Sequence, residues 1–267
     1  MPFVNSHHRR IYYERHGQGP AVLLCHGAGS NAATWWQQLP TFAARHTCIT
    51  MDIRCFGRSA APLKEFSLDN FVADVLAILD REEVQRVTHV GQSLGGFIGL
   101  QLALRHPDRV AAFVACDSSM ALDHPVLLDT LAKRQISHQA VSIEQRSLGR
   151  WFLENRPEQA ALYAQINHFN PSAHAFAAKE WGSALAGLMA SSSLIPMRSL
   201  RDVACPTLLL VGNEDPIVPV SVMEEVQALI HGSEVVVIQE AGHSAYFEKP
   251  HEFNSTVLDF IARRARY

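Results

Sequence analysis

The stretch RVTHVGQSLGG, residues 86–96, governs how the rest of the chain is read. Residues 86–91 are rich in valine and threonine and read as a strand, while residues 94–106 carry helical spacing and are stopped by Pro107. Between them stands Gly91-Gln92-Ser93-Leu94-Gly95, a GxSxG string at a strand-to-helix turn. Glycines permit a sharp turn without a Cβ clash, so Ser93 Oγ is expected at the helix N-terminus, facing a cleft. A serine that only caps a helix after a glycine turn gives the same string, and the partners of Ser93 decide between the two.

Outward from this turn, β-like and α-like segments alternate. Residues 10–16, 21–25, 47–52 and 110–116 read as strands, and 35–45 has helical spacing. Ser67 opens a long amphipathic helix to about residue 83, with Leu68, Phe71, Val72, Val75, Leu76 and Leu79 recurring every three or four positions. Short apolar strands between helices predict a mainly parallel sheet covered on both faces. From 118 to 200 the pattern is helical (125–135, 142–154, 157–168 and 173–190) with no convincing strand. Strands at 207–211 and 234–238 and helices at 220–230 and 252–264 then restore the α/β rhythm. The expectation is a doubly wound α/β domain, residues 1–117 and 201–267, interrupted by a helical insertion at 118–200.

In such a sheet, ligands meet the loops at the carboxyl ends of the strands. Strand 207–211 is followed by Gly212-Asn213-Glu214-Asp215-Pro216, and strand 234–238 by Gln239-Glu240-Ala241-Gly242-His243-Ser244. Both loops fall at the same sheet edge as Ser93, in the order Ser, Asp, His. That supplies a base, His243, and an orienting acid, Asp215, for the serine. Asp117, directly after strand 110–116, is a rival acid, while Glu214 and Glu240 read as solvated neighbours. After strand 21–25, His26-Gly27-Ala28-Gly29-Ser30 can turn backbone amides toward a developing oxyanion, with the amide of Leu94 as partner donor.

The same loop carries a competing reading. Gly27-x-Gly29-x-x-Ala32 follows a strand and is trailed by Asp52, the dinucleotide fingerprint with its acidic ribose partner. It is not the first strand of the chain, and a nicotinamide enzyme leaves the GxSxG turn, Asp215 and His243 without a shared purpose.

Composition narrows the classes further. The 267 residues are 48% hydrophobic and 18% charged, enough for a substantial core. With 23 Lys and Arg against 26 Asp and Glu, the net charge of −3 offers no basic field for nucleic acid or anionic lipid. The five cysteines have no CxxC spacing, and the fourteen histidines form no HxxxH or HExxH arrangement, so neither a disulfide framework nor a metal site is implied. Residues 1–20 lack an apolar core segment, and no stretch approaches the length of a membrane span. A cytoplasmic protein acting on a small molecule, with no nucleic-acid or membrane partner, is expected; oligomeric state is not legible.

Five blocks in order, HGAGSNAATW (26–35), DIRCFGRS (52–59), GQSLGG (91–96), CPTLLLVGNEDPIVP (205–219) and AGHSAYFEKPHEF (241–253), resemble the α/β-hydrolase superfamily over nearly the full length. The resemblance implies Ser93 as nucleophile, Asp215 as acid, His243 as base and the amides of Ala28 and Leu94 as the oxyanion hole. It implies no cofactor, and it makes the 118–200 insertion a helical cap over the site. Cys55 departs from the pattern, standing where relatives carry glycine; a spacer in a surface loop and a reactive thiol are the alternatives there. Serine at the centre of the turn argues against the aspartate-nucleophile dehalogenases and epoxide hydrolases of the same fold.

The substrate is less legible. Residues 120–190 hold six Lys or Arg and six Asp or Glu, so no anion clamp stands out. Trp151, Phe152, Phe169, Phe176, Trp181, Leu185 and Met189 are apolar candidates for the pocket roof or for the insertion's own core, and Trp35, close to the 26–30 loop, for the pocket or for packing under that loop. An apolar pocket suits a small or medium carboxylic ester or lactone cleaved through an acyl-enzyme on Ser93. The HGAG loop and the GH…E…EFN tail also resemble carbon–carbon bond hydrolases of ring-cleavage products, although these often carry Asn where Gln92 stands. Enol-lactonases, haloperoxidase-like esterases and hydroxynitrile lyases share the skeleton. A hydrolase-derived ligand receptor is the alternative from a different class.

Overall fold

The computed structural model of the chain describes residues 3–137, 142–172 and 176–267. Among the described residues the strands are β1 (Phe3–Ser6), β2 (Arg9–His16), β3 (Ala21–Cys25), β4 (Thr47–Met51), β5 (Val87–Gln92), β6 (Val110–Cys116), β7 (Leu122–Asp123), β8 (Ile195–Pro196), β9 (Thr207–Gly212) and β10 (Glu234–Ile238). The helices are α1 (Leu39–Ala43), α2 (Leu68–Arg81), α3 (Leu94–Arg105), α4 (Pro125–Ser137), α5 (Ile143–Ser147), α6 (Arg150–Asn155), α7 (Pro157–His168), α8 (Ala178–Leu188), α9 (Val220–Leu229), α10 (Ala245–Glu248) and α11 (Pro250–Arg264).

Eight strands form one sheet in the order β1-β2-β4-β3-β5-β6-β9-β10. The β1–β2 and β2–β4 pairs are antiparallel, and all other pairs in it are parallel. Every residue of β3, β4, β5, β6 and β9 is buried, the expected consequence of a parallel sheet with helices on both faces. The two-residue period of a strand divides the core in two. Leu23 and Cys25 face a cluster built with Phe71 and Val75 of α2, Ile98 of α3 and Val222 of α9. Val22 and Leu24 face another, built with Phe42 of α1 and Phe253, Val257 and Phe260 of α11.

From β3 the chain crosses to β4 on one side and returns to β5 on the other. The β3–β5 boundary is therefore the switch point where the loops after β3 and β5 part and leave a crevice.

Helices of the β6–β9 connection pack on both cores, α4 and α8 on the α2–α3 side and α6 and α7 on the α1–α11 side. Where this connection leaves and rejoins the sheet, β7 and β8 pair in parallel, Leu122 against Ile195. The sequence showed no strand there, because two residues are too few for an alternation to register. Four-residue β1 and the one-turn α10 escaped notice for the same reason.

Two expected helices are broken. The 35–45 segment is a 3₁₀ turn, Ala32–Trp35, followed by α1, with Asn31 Oδ1 capping the turn at Ala33 N, 3.0 Å away. The 142–154 segment splits into α5 and α6 because Leu148 and Gly149 are extended (ψ 148° and 153°). A Cβ on Gly149 would press on Gly242 N and Glu214 Oε2, both 2.8 Å away, so the break follows from close packing against the core. The expected helix from 173 starts at Ala178 in the structure, and its first residues, 173–175, lie outside the described residues. Among the described residues, no helix is long and apolar enough to cross a membrane and no cluster of His, Cys, Asp or Glu could hold a metal ion.

Candidate active site

Ser93 sits at φ 48° and ψ −111°, a conformation that L residues avoid at a cost of about 1–3 kcal/mol. The surroundings enforce it. Ser93 N donates to Cys116 O (3.0 Å), and a Cβ on Gly91 or Gly95 would strike the Gly95 carbonyl or the Cys25 carbonyl. The strand and helix can approach this closely only with glycine at both positions.

Ser93 Oγ lies 3.0 Å from His243 Nε2, and His243 Nδ1 lies 2.9 Å from Asp215 Oδ2. The carboxylate leaves Nδ1 as the protonated nitrogen and Nε2 as the acceptor for the serine hydroxyl. Asp215 is held in turn by its own loop, with Oδ1 accepting from Ile217 N (2.7 Å) and Val218 N (3.1 Å). The Asp215 side chain is fully buried and that of His243 is 7% exposed, so the pair works in a medium of low dielectric. An oriented base beside a hydroxyl is the arrangement that can raise a serine's nucleophilicity.

Asp117, the rival acid, reaches neither. Its Oδ1 accepts from Gly212 N and its Oδ2 from Ala245 N, each at 2.9 Å, and Cys116 Sγ lies 3.2 Å from Oδ2. Burial, with the charge of Asp215 nearby, holds its carboxyl pKa well above the usual range. Its geometry is that of a brace joining the loop of the acid to the loop of the base.

Four consecutive amides around His243, from Gly242 to Ala245, are occupied. Gly242 N and Ser244 N donate to Glu248 Oε1 (2.9 and 3.2 Å), His243 N to Ser147 O (2.7 Å) and Ala245 N to Asp117. Glu248 Oε2 accepts from Gly149 N at 2.7 Å, so one carboxyl joins the base loop to the β6–β9 connection. Burial pushes its pKa up to about 7. Gln92, next to Ser93, donates from Nε2 to His243 O (2.7 Å). These braces lay outside the sequence reading. Glu248 lies in a motif quoted for its resemblance, with no bond partner implied, and Gln92 was noted only for the residue it replaces.

On the other side of Ser93 lies the loop after β3. His26 donates from Nδ1 to Gly27 O (2.7 Å) and accepts from Ile53 N at Nε2 (2.9 Å). Burial lowers its pKa, which favours the neutral ring, and the two bonds fix its tautomer. Ser30 N also donates to Gly27 O, at 3.2 Å. With the Gly27 carbonyl held on one side of a trans peptide, the Ala28 N–H must point to the other. Gly27 abuts the turn, since a Cβ there would overlap Gln92 Oε1 and come within 3.1 Å of Ser93 Cβ. Leu94 is the first residue of α3, where an amide has no acceptor within the helix.

The dinucleotide reading fails on Asp52. Its buried carboxylate accepts from Ala32 N (2.7 Å), Arg58 N (2.7 Å) and Arg58 Nε (3.1 Å), which leaves it enclosed by its own loops rather than open to a ribose. Cys55 fills a turn position as a spacer, but not in a surface loop as expected: it adopts φ 74°, a conformation that favours glycine, and its side chain is fully buried in the core. Burial pushes its thiol to about 12, which removes the thiolate needed for reactivity.

The pocket candidates separate. Trp35 is fully buried, 4.5 Å from Tyr246 and 6.3 Å from Phe253 between ring centroids, so it supports the loop from beneath and lines no open surface. Phe152 is likewise core, 6.2 Å from Phe247. The ring of Trp151 carries Lys249 Nζ 3.8 Å above it, and Phe169 is 76% exposed, so neither forms a roof. Trp181 stacks on Phe56 (4.9 Å, 17°) and joins Leu185 and Met189 against the cluster that holds Leu94, Phe97 and Ile217. Of Trp35, Trp151, Phe152 and Trp181, only Trp181 packs in the cluster that includes Leu94, the residue after Ser93.

A serine on a strained turn, a carboxylate-oriented imidazole and a doubly wound sheet together define a hydrolase fold. The chain belongs to the α/β hydrolase fold family, whose model matches residues 20–250. It is similar to 3-oxoadipate enol-lactonase 2 of Acinetobacter baylyi, 25% identical over 260 residues that cover 95% of this chain and 93% of that protein. It is also similar to the pimeloyl-[acyl-carrier protein] methyl ester esterase of Aeromonas hydrophila, 30% identical over 277 residues that cover 94% and 99%. Among solved structures, it resembles Est816, described as an N-acyl homoserine lactone degrading enzyme, with a TM-score of 0.81 and 28% identity over 97% of this chain and 100% of that one. The chain is an enzyme of this hydrolase family.

Proposed function

We propose that the protein is a serine hydrolase that cleaves a small or medium, largely apolar carboxylic ester or lactone through an acyl-enzyme on Ser93. The observation that carries the reading is the continuous chain Ser93–His243–Asp215 at 3.0 and 2.9 Å. His243 Nε2 takes the Ser93 proton as Oγ bonds to the carbonyl carbon, and the carbonyl π pair moves onto oxygen. The amides of Ala28 and Leu94 receive that oxyanion, an effect worth about 10² to 10³ in rate per donor. Collapse breaks the bond to the leaving alkoxide, which departs with the proton held by His243. Water repeats the sequence on the acyl-enzyme and releases the acid. Asp215 keeps Nδ1–H in place and stabilises the imidazolium. The mechanism uses protein groups alone.

Residues 118–200 serve as the cap of a core formed by 1–117 and 201–267, with Trp181, Leu185 and Met189 giving the pocket an apolar wall. Names of relatives, a lactonase and an ester hydrolase among them, support this substrate class. Five free, buried cysteines suit a reducing compartment, in keeping with a cytoplasmic enzyme.

The test is acid release in a pH-stat with wild type and Ser93→Ala in parallel, on short and long acyl esters, aryl esters, small lactones and one vinylogous 1,5-diketo acid. Ser93-dependent turnover of esters or lactones is expected. Turnover of the diketo acid alone would move the protein to carbon–carbon hydrolysis. No turnover together with large ligand-induced thermal stabilisation would make it a receptor.

A further inference from the structure

The loop proposed to present the Ala28 amide is held from outside the sheet. Asn170, two residues beyond α7 and 3% exposed, directs its carboxamide into that loop. Its Nδ2 donates one hydrogen to Gly29 O (2.8 Å) and the other to Ser30 O (2.7 Å), while Gly57 N donates to its Oδ1. Two carbonyls at one end and an N–H at the other fix the orientation of the amide group. The bond is returned by Asn31, whose Nδ2 donates to Ile166 O (2.8 Å) and Phe169 O (3.1 Å). Ser172 Oγ adds a bond to Gly57 O (2.7 Å), beside the loop but not on it.

These bonds bear on the loop unevenly. The Gly27–Ala28 peptide is held from the core by His26 and by Ser30 N. The Ser30 N–H that donates to Gly27 O belongs to the Gly29–Ser30 peptide, whose carbonyl Asn170 holds, and the second carbonyl it holds, Ser30 O, fixes the peptide that follows. Gly29, at φ 84° with nothing near its Cα that a side chain would meet, has no packing of its own to hold it. Glycine without such restraint samples many conformations.

From this geometry, and resting on the serine-hydrolase reading above, we infer that Asn170 is a positioning residue for the oxyanion hole, through which the seating of the β6–β9 connection sets the rate of acyl transfer. Asn170 touches no reacting atom; it acts through the Gly29 and Ser30 carbonyls. A shift of the Ala28 amide by about 1 Å is enough to cost a large part of what an oxyanion donor supplies.

The experiment follows phosphonylation of Ser93 by a fluorophosphonate, in which His243 takes the Oγ proton, an Oγ–P bond forms as the P–F bond breaks, fluoride leaves and the phosphoryl oxygen occupies the oxyanion hole. Labelling rates, kcat and KM for the best ester, and thermal melting are measured for wild type, Ser93→Ala, Asn170→Ala, Asn170→Asp and Ser172→Ala. Asn170→Asp is nearly isosteric and replaces two donors by an acceptor facing two carbonyls, so it probes the loop even if the alanine variant folds poorly. Both Asn170 variants are expected to label at least about tenfold more slowly and to lose kcat in proportion, with KM within about threefold. Ser172→Ala, which loosens the same segment without reaching the loop, is expected within about twofold of wild type. Folded Asn170 variants that label at the wild-type rate, or that change KM alone, would overturn the inference. Wild-type labelling that is absent, or that survives Ser93→Ala, would overturn the reading beneath it.

Discussion

Asp215 meets His243 and Asp117 does not, although β6 and β9 are neighbours and both carboxyls are buried at their ends. Asp215→Asn is therefore expected to leave a folded protein whose kcat falls by about 10⁴, through loss of the productive imidazole tautomer. Asp117→Asn points an NH₂ group at Gly212 N or Ala245 N, leaving one buried amide without an acceptor. The expected result is a stability loss of about 1–3 kcal/mol with kcat within tenfold of wild type. Steady-state kinetics and urea denaturation of the two variants check the assignment, and a reversed pattern would exchange the roles.

Gly27 and Gln92 are predicted to be coupled. A side chain at 27 collides first with Gln92 Oε1, and Gln92 is the group that holds His243 O. Gly27→Ala alone should both destabilise the protein and displace His243, and Gln92→Ala alone should lower kcat about tenfold by freeing the base loop. In the double variant the first collision is gone, so its loss should be smaller than the sum of the two single losses. A double-mutant cycle on kcat/KM and on unfolding free energy measures this, and strict additivity would refute it.

Glu248 gives a pH dependence of known sign. Its folded pKa, about 7, lies above the usual glutamate value of 4.5, so the folded state binds the proton more tightly than the unfolded state. Its contribution is most favourable at acid pH and declines as pH rises from about 4.5 to about 7, by up to about 3 kcal/mol. The buried His26 and His89, both with lowered pKa, tilt the wild-type profile the other way, which is why the comparison must be a difference. The stability of Glu248→Gln relative to wild type should therefore rise across that window, as read by urea unfolding at a series of pH values. Parallel curves would show that Glu248 does not titrate there.

The α/β order, the two-faced sheet and the three loops around Ser93 were readable because each rests on local pattern: buried strands as apolar runs, α2 as a 3.6-residue period, the elbow as glycines at fixed offsets. Asp215 and His243 were readable from their place after a strand. Nothing local distinguishes Asn170 or Gln92 from an ordinary amide, since their roles are created by residues 140 and 151 positions away. Sequence alone could not choose between the pocket and the underside of the loop for Trp35, because nearness in sequence says nothing of which side of a loop a ring occupies. The helix break at Leu148–Gly149 was hidden because its cause, Glu248 and the base loop, lies about a hundred residues downstream.

The parallel pairing of Leu122 with Ile195 brings the two ends of the β6–β9 connection to one strand spacing, about 4.8 Å. Recombination at that neck exchanges everything from 124 to 194 without altering β6, β9 or the order of the main sheet. What does not travel with the host is the set of clasps that Ser147, Gly149 and Asn170 make to its loops. Chimaeras joined there are expected to inherit a fold at once and a rate only after the newcomer has acquired an equivalent of Asn170. Diversification of such enzymes would then be limited less by the supply of new roofs than by how few of them fasten to the old foundations.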